Sequence, residues 1–280
     1  DQEVQGSNPC RRTRRLIMIF KKIRSLVGRL FSENMQMKII LQLSNFFWGL
    51  RKYFLSVVID YPEDFRINWN NIKNRSSQDK ERNFTVYQLV KLHNKIFEGM
   101  HTNIIEFGTD RGATLTTISK FIKKDSQIFS VDSFGFHAKE IKENISKFDE
   151  HYQGSYRPFT KQTRFKDFDH VQMTKNLNEI LSKKNSNLET IVGYFPNLNK
   201  ECMAKISNLK FSFVHLDYDL YQSTLDSFNF VKERLEKNAI ILFDDFNFIN
   251  QEGVKKAVKD LKIDLDKGFQ TQSGQLILFN

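Results

Sequence analysis

The stretch Phe211 to Phe246, FSFVHLDYDLYQSTLDSFNFVKERLEKNAIILFDDF, constrains the fold of this chain more than any other. Phe211–Asp217 is a short aromatic and β-branched run that ends in acid. From Ser223 to Glu236 the apolar residues Leu225, Phe228, Val231 and Leu235 recur at helical spacing. Asn238–Asp245 is a continuous apolar run, the pattern of a strand buried on both faces of a parallel sheet. Strand, helix, strand in this order predicts a parallel βαβ unit, whose two strand ends lie side by side at one edge of the sheet. Those ends carry Asp217 and Asp219 after the first strand, and Asp244 and Asp245 after the second. Four carboxylates crowded into one volume repel one another unless protons or a cation compensate them. A hard divalent cation with oxygen ligands is the simplest compensation.

The rest of the chain extends this unit into a larger sheet. Asn103–Phe107, Gln127–Asp132 and Leu188–Tyr194 read as buried strands. Helices are expected at Thr85–Met100, capped by Asn83 or Thr85, and at Ala113–Lys123, about Asn197–Ile206 and Glu252–Leu261. Gly268–Phe279 reads as a strand, a turn at Ser273-Gly274 and a closing strand. Residues 137–185 read as helices and loops. Alternating strands and helices predict an α/β fold: a Rossmann-like, doubly wound, mostly parallel seven-stranded sheet with an antiparallel C-terminal strand, plus an N-terminal helical extension.

Charge locates the remaining segments. The formal net charge is +10 over 280 residues. The first thirty residues hold eight basic side chains, from Arg11 to Arg29, against Asp1 and Glu3 alone. The basic character therefore belongs to an N-terminal arm, and no nucleic-acid partner is expected from the isoelectric point. Residues 1–15 read as a disordered basic tail and 16–75 as a helical extension. The α/β domain is assigned to 76–280. Leu16–Phe31 is a basic amphipathic helix, suited to peripheral contact with an anionic membrane surface. Packing on its own domain or on a second copy, as a homo-oligomer, is the commoner use of such a face. Residues 62–82 are polar and rich in Asn and charge, and read as a linker or surface loop. Cys10 and Cys202 form neither a zinc spacing nor a disulfide framework, which fits a reducing, cytoplasmic location. Ile39–Tyr61 carries Arg51 and Lys52 at mid-span and is not a convincing membrane helix.

A second chemistry-bearing site lies at the end of the first strand. Glu106-Phe107-Gly108-Thr109-Asp110-Arg111-Gly112 is a glycine turn opening into a helix, where a backbone can approach a polar or anionic ligand. Asp132 ends the next strand, where a carboxylate can accept both hydroxyls of a ribose. Turn and acid together predict a nucleotide-like cofactor, and the absence of G-x-G-x-x-G argues against NAD. A plain glycine turn with surface acids is the alternative.

In chain order, EFGTDRGATL, SVDSF, GYFPN, HLDYDLYQSTLDSF, AIILFDDF and EGVKKAV resemble the macrocin O-methyltransferase (TylF-like) family. These are class I enzymes that use S-adenosylmethionine to methylate sugar hydroxyls. The resemblance spans roughly Phe84–Phe279, and its specific part is D-x-D-L-Y-x-S-T followed by the Asp pair. It implies that Glu106, Gly108, Gly112 and Thr114 line the methionine and ribose end of S-adenosyl-L-methionine. It places Asp132 on the ribose hydroxyls, with Ser133 and Phe134 near the adenosine. It implies a Mg2+ site at Asp217, Asp244 and Asp245, with Asp219 as the general base toward a hydroxyl of a small-molecule or glycan acceptor. For Asp219 a helix cap or a further metal ligand is the alternative, and His215 is an outside candidate for the site. Tyr218 stands where the family commonly has Gly, between a ligand and the base. Residues 135–184, with Tyr152, Tyr156, Arg157 and Phe159, are expected to cover the acceptor. Two other readings compete: a non-catalytic adaptor docking through its basic arm, and an enzyme acting on a catechol-like phenol.

Overall fold

The structure is a computed structural model that describes residues 60–76, 78–135, 146–149, 167–247 and 252–280. The expected basic tail, the amphipathic helix over 16–31 and the expected covering residues Tyr152, Tyr156, Arg157 and Phe159 lie outside the described residues. Two helices come first, α1 (Glu63–Ile72) and α2 (Lys80–Ile96). Then follow β1 (Thr102–Phe107), α3 (Ala113–Phe121), β2 (Ser126–Asp132), α4 (His170–Ser182) and β3 (Asn187–Val192). The chain continues with α5 (Lys200–Ala204), β4 (Phe211–Leu216), α6 (Tyr221–Val231), β5 (Leu235–Phe243), α7 (Glu252–Asp260), β6 (Gly268–Gln270) and β7 (Leu276–Phe279). The sheet has seven strands in the order β3-β2-β1-β4-β5-β7-β6. β1 to β5 pair in parallel, whereas β7 runs antiparallel to both β5 and β6. The expected doubly wound, Rossmann-like sheet with an antiparallel C-terminal end is the one observed.

Apolar side chains fill both faces of this sheet. Ile104, Ile128, Phe213, Ile240 and Leu242 point to the face covered by α2, α3 and α4. Ile105, Phe107, Phe129, Val214, Ile241 and Phe243 point to the other. This two-sided burial explains why the strands read as continuous apolar runs rather than alternating ones. β1 and β4 are neighbours, and the order of the sheet reverses between them. That reversal opens a crevice at their carboxyl ends, the usual ligand position in open α/β sheets. Pairing brings Glu106 of β1 opposite His215 of β4, and His215 opposite Leu242 of β5.

The polar segment expected as a loop contains α1 and the start of α2. Phe65, Asn68 and Ile72 form a narrow buried stripe on α1, too sparse among polar residues to stand out as a helical pattern. Phe65, Tyr61, Phe84 and Tyr87 pack ring to ring, and Asn68 Nδ2 donates to Thr117 Oγ1 of α3 at 2.8 Å. The cap of α2 is Asp79, whose carboxylate accepts from the backbone of Arg82. It replaces the expected caps at Asn83 and Thr85, because the helix begins a turn earlier than its apolar periodicity. Among the described residues no helix is long and apolar enough to cross a membrane.

Candidate active site

The first part of the site is the turn between β1 and α3. Gly108 has φ +86°, and a Cβ built there would run into the carbonyl oxygen of Asp217. Glycine is therefore needed both for the left-handed backbone and for the close approach of the two strand ends. Gly112 has φ +75° and faces the sulfur of Met173 in the same way. Asp132 locks the turn to the end of β2: its carboxylate accepts from Thr109 N and Asp110 N at 2.7 Å and from Phe134 N at 2.7 Å. Burial pushes this carboxyl up to about 6, against the pull of those three amides. Glu106 is fully buried and accepts from His215 Nδ1 at 2.9 Å through one oxygen. Its other oxygen, Oε2, has no partner among the described residues. Thr114 donates to Gln78 Oε1 at 2.9 Å. Ser133 is half-buried beside Asp132. The Phe134 ring is buried and stacks on His170 at 5.0 Å.

The second part is the carboxylate cluster. The amide of Asp217 donates to Phe107 O at 2.8 Å and that of Asp244 to Leu216 O at 2.9 Å, so the ends of β1, β4 and β5 are stitched together. This brings all four expected acids to one place. Asp244 and Asp245 are buried, and Asp217 and Asp219 are half-buried. Ligand-type oxygens of Asp217, Asp219 and Asp245 lie within 4.8 Å of one another, as do ligand atoms of His215, Asp217 and Asp244. Asp219 adopts φ +61°, a left-handed conformation uncommon outside glycine.

Three side chains unforeseen in the sequence complete the cluster. The Arg82 guanidinium, from the first turn of α2, bonds both Asp244 and Asp245. Gln78 Nε2 donates to Asp217 Oδ2 and to Asp244 Oδ2, both at 2.8 Å. Gln275 Nε2, from just before β7, donates to Asp244 Oδ1 at 2.6 Å. His215 Nε2 stands 3.8 Å from Asp244 Oδ1, an ion-pair distance rather than a hydrogen bond. Asp149 accepts from Tyr221 N at 3.1 Å and so caps α6, the helix that follows the Asp217–Asp219 turn.

The electrostatics of the four acids diverge accordingly. Burial, then the charges of Asp244 and Asp245, raise Asp217 well above the carboxylate range. Burial, then Asp245, raise Asp219 likewise. For Asp244 burial is outweighed by Arg82 and His215, which hold it at about 2. Burial would lower His215, but Asp244 and Glu106 raise it to about 10, so the imidazole is charged at neutral pH. Asp245 Oδ2 is buried without a partner among the described residues. An all-oxygen donor set with an unsatisfied buried carboxylate oxygen fits a hard divalent cation.

Tyr218, between two of these acids in the chain, packs on the end of β1. Its ring packs against Phe107 at 5.7 Å and beside Gly108, and its buried hydroxyl has no partner among the described residues. It forms part of the wall of the glycine turn.

A glycine turn, a strand-end acid and a carboxylate cluster, placed at the crevice of this sheet, define the layout of a class I methyltransferase fold. Residues 105–246, half of the chain, match the family described as methyltransferase domain, and the chain belongs to that family. No curated protein matches the sequence. Among solved structures, the O-methyltransferase NovP is 15% identical with a TM-score of 0.57, over 74% of this chain and 82% of that one, and it shares the fold. The calicheamicin methyltransferase CalS11 is 17% identical, with a TM-score of 0.48 over 79% of this chain and 94% of that one. An O-methyltransferase from Bacillus cereus, solved with SAH, is 12% identical, with a TM-score of 0.44 over 83% of this chain and 97% of that one.

Proposed function

We propose that this protein is an S-adenosylmethionine-dependent, Mg2+-dependent O-methyltransferase of the macrocin O-methyltransferase kind. Its acceptor is a hydroxyl of a sugar or another vicinal diol. The observation that carries the reading is the contact between its two half-sites: Gly108 lies against the Asp217 carbonyl, so the glycine turn and the carboxylate cluster share one wall. A donor on the turn and an acceptor on the cluster would then be neighbours, the arrangement a methyl transfer needs.

Glu106, Gly108, Gly112, Thr114 and Asp132 are the residues for the cofactor, with Ser133 and the Phe134 backbone beside them. Asp217, Asp244 and Asp245 are the residues for the ion. When bound, the cofactor supplies an electrophilic methyl group and the ion a Lewis acid that lowers the pKa of a chelated hydroxyl. Asp219, at the edge of the cluster beside Asp217 and Asp245, takes the hydroxyl proton as general base. The charged His215 holds Glu106 and stands beside Asp244, supporting both half-sites.

A methyl-transfer assay over a panel of glycans and catechols, with Mg2+ added or chelated, tests the reading. Transfer to a diol that stops in chelator is expected, and full activity in excess chelator would refute the ion requirement. Calorimetry with S-adenosylmethionine and its demethylated product tests the cofactor; no binding of either ends the proposal.

A further inference from the structure

We propose that Arg82 and Gln78 are resident occupants of the ion site, so that a divalent cation binds the cluster in competition with the first turn of α2. The inference rests on the ion site proposed above and adds a control on it.

The geometry points to competition. The nitrogen of Gln78 lies 2.8 Å from Asp217 Oδ2 and 2.8 Å from Asp244 Oδ2. It bridges Asp217 and Asp244, two of the carboxylates that would hold the ion. The Arg82 guanidinium bridges the next pair, Asp244 and Asp245. Asp244 Oδ2 thus receives both donors, and Asp244 Oδ1 receives Gln275. Three of the roughly four acceptor sites of the Asp244 carboxylate are thus already taken, so an ion there would compete with these donors. Asp245 Oδ2, by contrast, is buried without a described partner, and Asp245 belongs with Asp217 and Asp219 to a group whose ligand oxygens lie within 4.8 Å of one another. Asp217, Asp219 and Asp245 would therefore offer the ion its less encumbered oxygens, while at Asp244 it would compete with Arg82.

Two further features bear on how the occupants are held. Arg82 sits at the N-terminal end of α2, where the helix dipole disfavours a cation, so its acidic partners hold it there. Gln78 is tied through its other amide atom to Thr114, at the start of α3. Displacing Gln78 therefore loosens a tether between the ion site and the helix that follows the glycine turn. Guanidinium and ion also repel each other directly inside a partly dry cluster.

The test is Mn2+ binding by calorimetry, checked by the loss of the free-ion EPR signal, for the full wild-type chain and for Arg82→Met. Removing a competing cation should tighten Mn2+ binding by roughly tenfold or more. Equal or weaker binding by Arg82→Met overturns the competition and leaves the ion site standing. Binding by neither protein at millimolar Mn2+ removes the ion site and this inference with it. If Arg82→Met does not fold, hydrogen exchange of the wild type decides: Mn2+ should speed exchange of the amides in the first turns of α2. Unchanged or slowed exchange there overturns the proposal.

Discussion

Replacing Asp244 by Asn tests the most buried contact of the site. The wild-type carboxylate is wholly buried and offers two oxygens to three nitrogen donors, from Gln78, Arg82 and Gln275. An amide keeps one oxygen and turns an NH2 group toward at least one of those donors. It also leaves the Arg82 guanidinium with Asp245 as its remaining bonded carboxylate in the cluster. Breaking a buried pair by removing one member costs about 3–5 kcal/mol, and the surviving Asp245 contact points to the lower end, about 3 kcal/mol. For a unit of this size, Tyr61–Asn280, that corresponds to a fall in Tm of about 10 °C. Urea and thermal unfolding by circular dichroism, in chelator, measure it against the exposed control Asp266→Asn. A loss below about 1 kcal/mol would refute the claim that Asp244 anchors the Arg82 side chain. In the same variant turnover should be lost, while affinity for the demethylated cofactor stays within about twofold, because none of the turn contacts involves Asp244.

Asp217 and Asp219 are raised, Asp132 and Asp149 are raised to about 6, and His215 is raised to about 10. In each case the folded chain holds a proton more tightly than the unfolded one, so their combined contribution to stability falls from about pH 4 to pH 10. The lowered Asp244 acts the other way only below its ordinary carboxylate range, and His93, lowered by burial to about 4, offsets part of the trend between about pH 4 and 6.5. The urea midpoint of the metal-free protein should therefore be higher at pH 5 than at pH 9, and the reverse order would contradict the buried charge pattern. Gly108→Ala places a methyl against the Asp217 carbonyl in a left-handed backbone. It should cost about 2 kcal/mol or more and abolish cofactor binding, read by unfolding and by calorimetry. Tyr218→Phe removes a buried hydroxyl with no described partner and should raise stability by about 1 kcal/mol in thermal unfolding. Asp149→Ala removes the cap of α6 at Tyr221 and should cost about 1 kcal/mol, measured the same way.

The sheet and the acids were legible in the chain because their signals are local. A strand buried on both faces is a short apolar run, and the residue just past it is at the sheet edge whatever the rest of the fold does. Asp217 and Asp244 could thus be placed side by side from the βαβ pattern alone. Glu106, Gly108, Gly112 and Asp132 followed by the same reasoning from β1 and β2. The helix boundaries moved by a turn where capping overrode periodicity, as at Asp79.

Arg82 and Gln78 were not legible. They lie in a polar run, SSQDKERN, whose composition is that of a solvated surface, and a charged side chain facing buried acids looks like one facing water. Only the packing of α2 against the sheet carries Arg82 to Asp244, 162 positions further along the chain. The packing of the Tyr218 ring onto Phe107 was likewise decided by the tertiary structure. The sequence by itself determined the strand order's raw material, the glycine turn and the acids at the sheet edge, since each depends on neighbours a few residues away. The tertiary structure alone decided which cation and which amide meet those acids, because charge compensation in a buried site is a contact between segments distant in the chain.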